Sequence, residues 1–202
     1  MSSLSQGNRI MNKVLKGLKW FAKSFLWVIP LLLVIDIVSK QVAQAMLVKG
    51  TDVVAIPGLI NFYLTYNNGA AFSLFGNLED LPRRIILISV SILGAALMIG
   101  LLAWKYKKLD WWYKSALFMM IAGDIGNFID RAFYKDGLVI DFIKFSFWKN
   151  FAIFNLADSF LVVGVFILIV AIIVEEVKET AKVKKISSED NKGEEDENSN
   201  SK

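Results

Sequence analysis

Long apolar segments alternate with polar ones along the chain, and their lengths predict membrane-spanning helices. Residues 85–104 form a charge-free apolar run, and residues 151–174 form a longer run with a single charge, Asp158. Residues 25–47 and 115–133 are weaker candidates, because each contains several polar groups. A transmembrane helix needs about 20 apolar residues. The pattern therefore predicts four transmembrane helices.

The segments between these runs predict a small β-sheet. Residues 48–66 are rich in β-branched and aromatic residues, and Pro57-Gly58 divides them as a turn would. Residues 138–148 have a similar composition. The predicted fold class is an all-α membrane protein with four transmembrane helices and a small extracytoplasmic β-sheet.

Basic residues are distributed unequally between the two sides of the predicted helices. Thirteen lie in the first 24 residues, in the link between the second and third helices, and just after the fourth, whereas six lie in segments 48–84 and 134–150. Because Lys and Arg are enriched in cytoplasmic loops, both termini are predicted to be cytoplasmic. The predicted domains are a basic segment 1–24, a membrane domain 25–175 and an acidic, disordered tail 176–202.

The first predicted helix has a second interpretation. Residues 13–45 have the basic start, apolar stretch and Ala43-Gln44-Ala45 ending of a cleavable secretory signal. Cleavage would leave three helices and remove Asp36 and Lys40, so the residue pattern alone leaves both possibilities open.

Two residue types are absent from the 202-residue chain, histidine and cysteine. Their absence excludes disulfides, thiolate catalysis, a Ser-His-Asp triad and zinc sites built on His or Cys. We expect no metal and no cofactor. The net charge of +4 does not indicate nucleic-acid binding, because the basic residues flank apolar segments, where membrane topology explains them.

Several ionisable residues lie inside the predicted helices, where charge is costly and usually functional or paired. Asp36 and Lys40, four residues apart, are expected to pair, as are Asp130 and Arg131. Asp158 has no basic residue within four positions, which makes it the best candidate for a reactive carboxyl. Helical rise from residue 151 predicts that it lies about 10 Å below the membrane surface.

Without histidine or cysteine, the plausible hydrolytic options are a pair of aspartates or a Ser-Lys pair. The adjacent Ser39 and Lys40 would point to different helix faces, which argues against their direct pairing. The intramembrane aspartyl signature GxGD is also absent, since residues 121–124 read Ile-Ala-Gly-Asp. Two other classes of function stay open from the residues alone. One is a small transporter with Asp36, Asp124 and Asp158 as an ion relay, and the other is a scaffold whose polar groups only hold helices together.

Four short motifs combine polar and small residues in order. They are Asp36-Ile37-Val38-Ser39-Lys40; Asn67-Asn68-Gly69-Ala70-Ala71-Phe72; Gly126-Asn127-Phe128-Ile129-Asp130-Arg131 with Val139-Ile140-Asp141-Phe142; and Phe154-Asn155-Leu156-Ala157-Asp158. Together they resemble the patterns of lipoprotein signal peptidase (signal peptidase II): D-Q-x-x-K, N-x-G-A-A-F, G-N-x-x-D-R with V-x-D-F, and F-N-x-A-D. The resemblance covers about residues 25–175.

The resemblance implies a bacterial inner-membrane aspartyl peptidase that removes the signal peptide from diacylglyceryl-modified prolipoproteins, cleaving just before the lipid-modified cysteine. It implies that Asp141 and Asp158 are the catalytic pair and that the first helix is retained. It further implies that ten residues bind substrate or support the site: Asp36, Lys40, Asn67, Gly69, Gly126, Asn127, Asp130, Arg131, Asn155 and Ala157. We expect a monomer in contact with membrane lipid, with Phe72, Phe75 and Trp148 covering the site.

Two positions depart from the family pattern. Ile37 stands where the family usually has Gln, so one polar contact is expected to be missing. Asp124 stands where the family usually has a small residue, and the sequence offers no partner for it.

Overall fold

Four long helices dominate the computed structural model: α1 (Val28–Met46), α2 (Asp80–Lys105), α3 (Trp111–Phe133) and α4 (Leu156–Asn200). The structure describes residues 9, 11, 13–17, 19, 24–69, 77–148 and 150–200, and only the backbone beyond residue 184. Phe72, Phe75 and the end of the second motif lie outside the described residues.

Three of these helices are long and apolar enough to cross a membrane: α1, α2 and residues 156–184 of α4. The predicted fourth span, α3, is not among them, since it carries Lys114, Asp124, Asp130 and Arg131. Many apolar side chains on the helices are exposed, Leu93 and Val162 each to 69%. An exposed apolar surface of this kind fits a lipid environment.

The predicted small sheet is confirmed as three antiparallel strands in chain order, β1 (Asp52–Ile56), β2 (Ile60–Asn67) and β3 (Val139–Phe145). Strands β1 and β2 are joined by a turn in which the Leu59 amide donates to the Ile56 carbonyl at 3.0 Å. Gly58 has a φ of +74° there, as the third residue of a type II turn requires. The sheet follows α1 and α3 in the chain and precedes α2 and α4, which places it at one end of the bundle.

Helix α3 contacts all three other helices, and its two halves differ in chemistry. Its first half supplies Leu117, Phe118 and Ile121 to an apolar core shared with Leu102 of α2. Its second half, nearer the sheet, carries buried Asn127 and Asp130. The apolar core therefore lies away from the sheet, and the buried polar residues lie close to it.

Small residues allow α3 and α4 to approach closely. A Cβ placed on Gly126 would lie 2.7 Å from Asp36 Oδ2, too short for a real contact, and 3.0 Å from the Ala157 Cβ, where the neighbour would have to shift. Ala122 and Ala157 are fully buried. Small residues four positions apart on one helix, such as Ala122 and Gly126, allow a neighbouring helix to pack closely.

The start of α4 differs from the sequence-based prediction. The helix begins at Leu156 rather than at residue 151, because Phe154 instead pairs with Ile143 beside β3. Asp158 therefore lies in the first helical turn, so the helical rise from residue 151 that underlies its predicted depth does not apply. At the other end, the backbone stays helical to Asn200, where the sequence predicts disorder.

Candidate active site

Asp141 and Asp158 lie on different secondary-structure elements, but both line one cavity of about 530 Å³. Asp141 lies in β3 and is 1% exposed, whereas Asp158 lies in the first turn of α4. The structure thus brings together the two carboxyls that the sequence analysis singles out.

A reciprocal pair of hydrogen bonds fixes Asp158 to the start of α4. The backbone nitrogen of Asn155 donates to Asp158 Oδ2 at 3.1 Å, and the backbone nitrogen of Asp158 donates to Asn155 Oδ1 at 3.0 Å. This is the geometry of a capping box, in which the residue before the helix and the third helical residue satisfy each other's backbone N–H groups. The carboxyl of Asp158 is therefore oriented by the way the helix begins.

Asn155 also connects the two carboxyls. Its side-chain Nδ2 donates to Asp141 Oδ1 at 2.7 Å. The other carboxyl oxygen of Asp141 accepts a 3.0 Å hydrogen bond from Asn67 Nδ2, whose strand β2 pairs with β3. Both oxygens of Asp141 are thus held, one by each asparagine.

The surroundings of Asp141 raise the pKa of its carboxyl to about 7 from 3.8. Burial is the largest cause, since it disfavours the charged form, and the negative charge of Asp158 is the second. Hydrogen bonds from Asn67 and Asn155 act in the opposite direction. Two neighbouring carboxyls that share one proton can supply an acid and a base in one site.

A buried cluster of charges centres on Lys40, which is 1% exposed. Its Nζ lies 2.7 Å from Asp36 Oδ2 and 2.9 Å from Asp130 Oδ2, and it donates to Asn127 Oδ1 at 3.4 Å. The predicted pairing of Asp36 with Lys40 is confirmed. The predicted pairing of Asp130 with Arg131 is wrong, because adjacent helical residues point to different faces and Asp130 faces α1 instead.

The charge cluster is connected to the two carboxyls and to both elements that carry them. Asn127, which accepts from Lys40, donates through Nδ2 to Asp158 Oδ1 at 2.7 Å. Asp36 accepts from the backbone nitrogen of Ala157 at 2.9 Å, and Asp130 accepts from that of Ile140 at 3.3 Å. Ala157 and Ile140 are the chain neighbours of Asp158 and Asp141. The cluster thus anchors the backbone next to each carboxyl.

Gly69 and Arg131 meet beside the cavity. Arg131 Nη2 approaches the Gly69 carbonyl at 3.4 Å, and the Gly69 amide donates to Asn67 Oδ1 at 2.9 Å. The second hydrogen bond orients the side chain of Asn67, so that its Nδ2 faces Asp141. Arg131 itself contributes to the cavity wall.

Apolar and aromatic side chains make up the rest of the cavity wall. The apolar residues of the wall include Phe145, Phe151, Phe154, Leu161 and Val162. Trp148, predicted to cover the site, packs on Phe151 with ring centroids 4.9 Å apart. The cavity therefore combines a largely apolar wall with a cluster of polar residues that includes Asp141 and Asp158.

Two contacts between α3 and α2 could not be predicted from the sequence. Arg84 of α2 donates to the carbonyls of Arg131 and Ala132 at 2.8 and 2.6 Å, and so caps the end of α3. Asp124 faces Ser91 of α2, and its buried Oδ2 has no hydrogen-bond partner among the described residues. Both pairs are far apart in sequence and belong to no local pattern.

Comparison with known proteins agrees with this arrangement. The family described as "Signal peptidase (SPase) II" matches residues 28–174. A lipoprotein signal peptidase of Pseudomonas aeruginosa is 37% identical over 71% of this chain and 84% of its own length, and one of Streptococcus pyogenes is 39% identical over 76% and 97%.

Solved structures show the same likeness. Two chains described as bacterial membrane enzymes superpose with TM-scores of 0.65 and 0.63, at 27% and 29% identity. They cover 78% and 76% of this chain, and 91% and 94% of their own lengths are matched. The chain is a bacterial membrane protein and belongs to the signal peptidase II family of peptidases.

Proposed function

We propose that Asp141 and Asp158 are the catalytic pair with which this peptidase removes the signal peptide from prolipoproteins, just before the lipid-modified cysteine. The observation that carries this proposal is that Asn155 bonds to both residues at the wall of one cavity. The function follows the family, whose members compared above are lipoprotein signal peptidases.

The proposed reaction uses one protonated and one ionised carboxyl. Asp141, with its pKa raised to about 7, holds the proton and donates it to the oxygen of the scissile carbonyl. Ionised Asp158 takes a proton from the attacking water, which forms the new C–O bond. Asp158 then returns that proton to the departing amine as the C–N bond breaks, and a hydroxyl group of the tetrahedral intermediate returns the other proton to Asp141. The products are a signal peptide with a free carboxyl group and a lipid-modified cysteine with a free amine.

The remaining residues of the motifs support this pair rather than react. Asn67 and Asn155 hold Asp141, and Asn127 orients Asp158. Lys40, with Asp36 and Asp130, fixes the helices on which they lie. The small residues Gly126 and Ala157 allow those helices to approach, while Gly69 and Arg131 shape the cavity rim beside Asn67.

The cavity suits an apolar peptide attached to a lipid. Its wall is largely apolar and extends along α4 through Leu161 and Val162, where the helix is apolar enough to lie in a membrane. A diacylglyceryl chain in the outer leaflet would keep the cysteine at the membrane surface, near the start of α4. We therefore propose that membrane lipid and the lipid anchor of the substrate both border this cavity.

We also propose that α3 is the fourth transmembrane helix of a membrane domain 25–175. It is surrounded by α1, α2 and α4, and its polar residues Asn127 and Asp130 are buried among them. Four spans place both termini on one side, which the distribution of basic residues makes cytoplasmic. A monomer suffices for catalysis, because one chain supplies both carboxyls and the hydrogen bonds that hold them.

A comparison of two substrates tests the proposed function. The purified enzyme, incubated with one prolipoprotein in diacylglyceryl-modified and unmodified forms, should cleave the modified form and leave the unmodified one intact. The product's new amino terminus should be the modified cysteine, as mass spectrometry can establish. Equal cleavage of both forms, or cleavage at another bond, would contradict the proposal.

The pH dependence of cleavage follows from the proton on Asp141. Because the pKa of this carboxyl is raised to about 7, the reactive protonated form declines as the pH rises through that value. We expect kcat/KM to fall through pH 7 and then by about tenfold for each further pH unit. Initial rates between pH 5.5 and 9 measure this fall, and a rate that increases with pH over the whole range would argue against the assigned roles.

A further inference from the structure

A helical segment within residues 9–19 precedes α1 and lies outside the region matched by the signal peptidase II family. Its described positions 9, 11, 13–17 and 19 are helical. The chain turns between this segment and α1, since Phe25 has a φ of +59°, a conformation that bulky residues rarely adopt. The amide of Val28 donates to the Phe25 carbonyl at 3.0 Å across this turn. The first segment is therefore not a simple continuation of the first membrane-spanning helix.

This amino-terminal helix has two opposite faces. At 100° per residue, Met11, Val14 and Leu15 lie on one side, and a basic row lies on the other. The basic row consists of Arg9, Lys13 and Lys16, whereas Lys19 lies at the border of the two faces, between Lys16 and Leu15. The three apolar side chains are exposed, to 59%, 50% and 45%. An exposed apolar face opposite a row of positive charges is typical of helices that lie in a membrane interface.

Ser24 and Phe25, which follow the amino-terminal helix, are held beside a second group of positive charges. Tyr106 donates its hydroxyl hydrogen to the Ser24 carbonyl at 2.6 Å, and the Phe25 ring packs on that of Trp111 with centroids 5.4 Å apart. Tyr106 and Trp111 border the link between α2 and α3. Lys107 and Lys108 lie in this link, and Lys105 and Lys114 lie in the adjoining ends of the two helices. Trp104, just before this link, is 77% exposed, as expected for an aromatic residue at a membrane–water boundary.

We propose that the described part of segment 9–19 lies on the membrane surface and binds anionic phospholipid, with Met11, Val14 and Leu15 among the acyl chains and the basic row among the headgroup phosphates. The charge and the exposed apolar face both favour this partner. The acidic tail of the same chain would neutralise the lysines, but its segment 186–202 has few apolar residues to cover Met11, Val14 and Leu15. Anionic bilayers offer both kinds of contact.

Two single-cysteine variants test the proposal, because the natural chain has no cysteine. Leu15→Cys and Lys16→Cys place an environment-sensitive fluorophore on opposite faces of the full-length protein. In vesicles containing phosphatidylglycerol, we expect the label at position 15 to be protected from aqueous acrylamide and quenched by lipid-borne quenchers. The label at position 16 should show the reverse. Equal quenching of the two labels would overturn the proposal.

The contribution of charge is measured in the Leu15→Cys variant. Adding Lys13→Gln and Lys16→Gln should lower the ratio of lipid-bound to free helix by on the order of 25-fold. The matched pair Lys178→Gln and Lys182→Gln should leave it unchanged. Protection that is as strong in phosphatidylcholine vesicles, or that disappears when the acidic residues of the tail are neutralised, would contradict binding to anionic lipid.

Discussion

Asp158→Asn and Asp141→Asn are each expected to lower kcat/KM for prolipoprotein cleavage by on the order of 10³-fold. Asp158→Asn removes the base that accepts a proton from water, and Asp141→Asn removes the acid that donates to the carbonyl oxygen. Neither Asn side chain can replace those functions, although it has nearly the same shape. Single-turnover cleavage of the lipid-modified substrate, with the purified variants in detergent, measures the loss.

The stability of these variants separates chemistry from packing. Because the pKa of Asp141 in the folded protein is raised to about 7 from 3.8, ionisation of this carboxyl destabilises the folded state as the pH rises between those values. Asp141→Asn removes that cost, so its Tm at pH 8 should not fall by more than about 5 °C. A large fall in Tm with activity retained would instead indicate a purely structural residue.

Two aspartates provide matched controls. Asp52 lies in β1 of the same sheet as Asp141, but at the surface beside Lys144. Asp124 lies in α3 against Ser91, outside the cavity of the proposed pair. Asp52→Asn and Asp124→Asn should retain activity within a few-fold of the parent protein. Loss of cleavage in Asp124→Asn, with Asp158→Asn still active, would favour a different arrangement of acids.

Lys40→Met is expected to cause the largest loss of stability, about 3–5 kcal/mol. Met has nearly the length of Lys, but it leaves the buried carboxylates of Asp36 and Asp130 without their common cation. For a chain of this size, the loss corresponds to a fall in Tm of about 10 °C. Thermal unfolding in detergent measures it, and Lys144→Met is the control because its pair with Asp52 lies at the surface and contributes little to stability.

A triple variant separates the free-energy cost of the unpaired buried charges from the loss of the hydrogen bond with which Lys40 positions Asn127. Combining Lys40→Met with Asp36→Asn and Asp130→Asn removes all three charges, so much of the lost Tm should return. Activity should stay reduced, since Lys40 no longer donates to Asn127, which orients Asp158. No recovery of Tm would show that Lys40 stabilises the fold by something other than its charge.

Much of the site could be predicted because its signals are local. Asp36 and Lys40 are four residues apart on one helix, a spacing that places two side chains next to each other. The β-formers of residues 48–66 with Pro57-Gly58 similarly predict a hairpin, which β1 and β2 confirm. The order of the four motifs then indicated the family, which the comparisons confirm.

The errors arose where contacts between distant residues override local pattern. Asp130 pairs with Lys40, ninety positions away in the chain, rather than with its neighbour Arg131. The apolar run from residue 151 continues without a break, so hydropathy could not reveal that Phe154 pairs with β3 and delays the helix. Arg84 likewise caps α3 from another helix, and no sequence spacing indicates that contact.

Asn155 joins the start of α4 to both carboxyls, and this has a consequence for heat inactivation. If the first turn of α4 frays, Asp158 loses its backbone partner and Asp141 loses its amide donor in the same event. Local opening of one helical turn would then abolish cleavage while the rest of the bundle stays folded. Inactivation should therefore begin at a lower temperature than global unfolding. A bound substrate analogue should reduce the difference between these two temperatures.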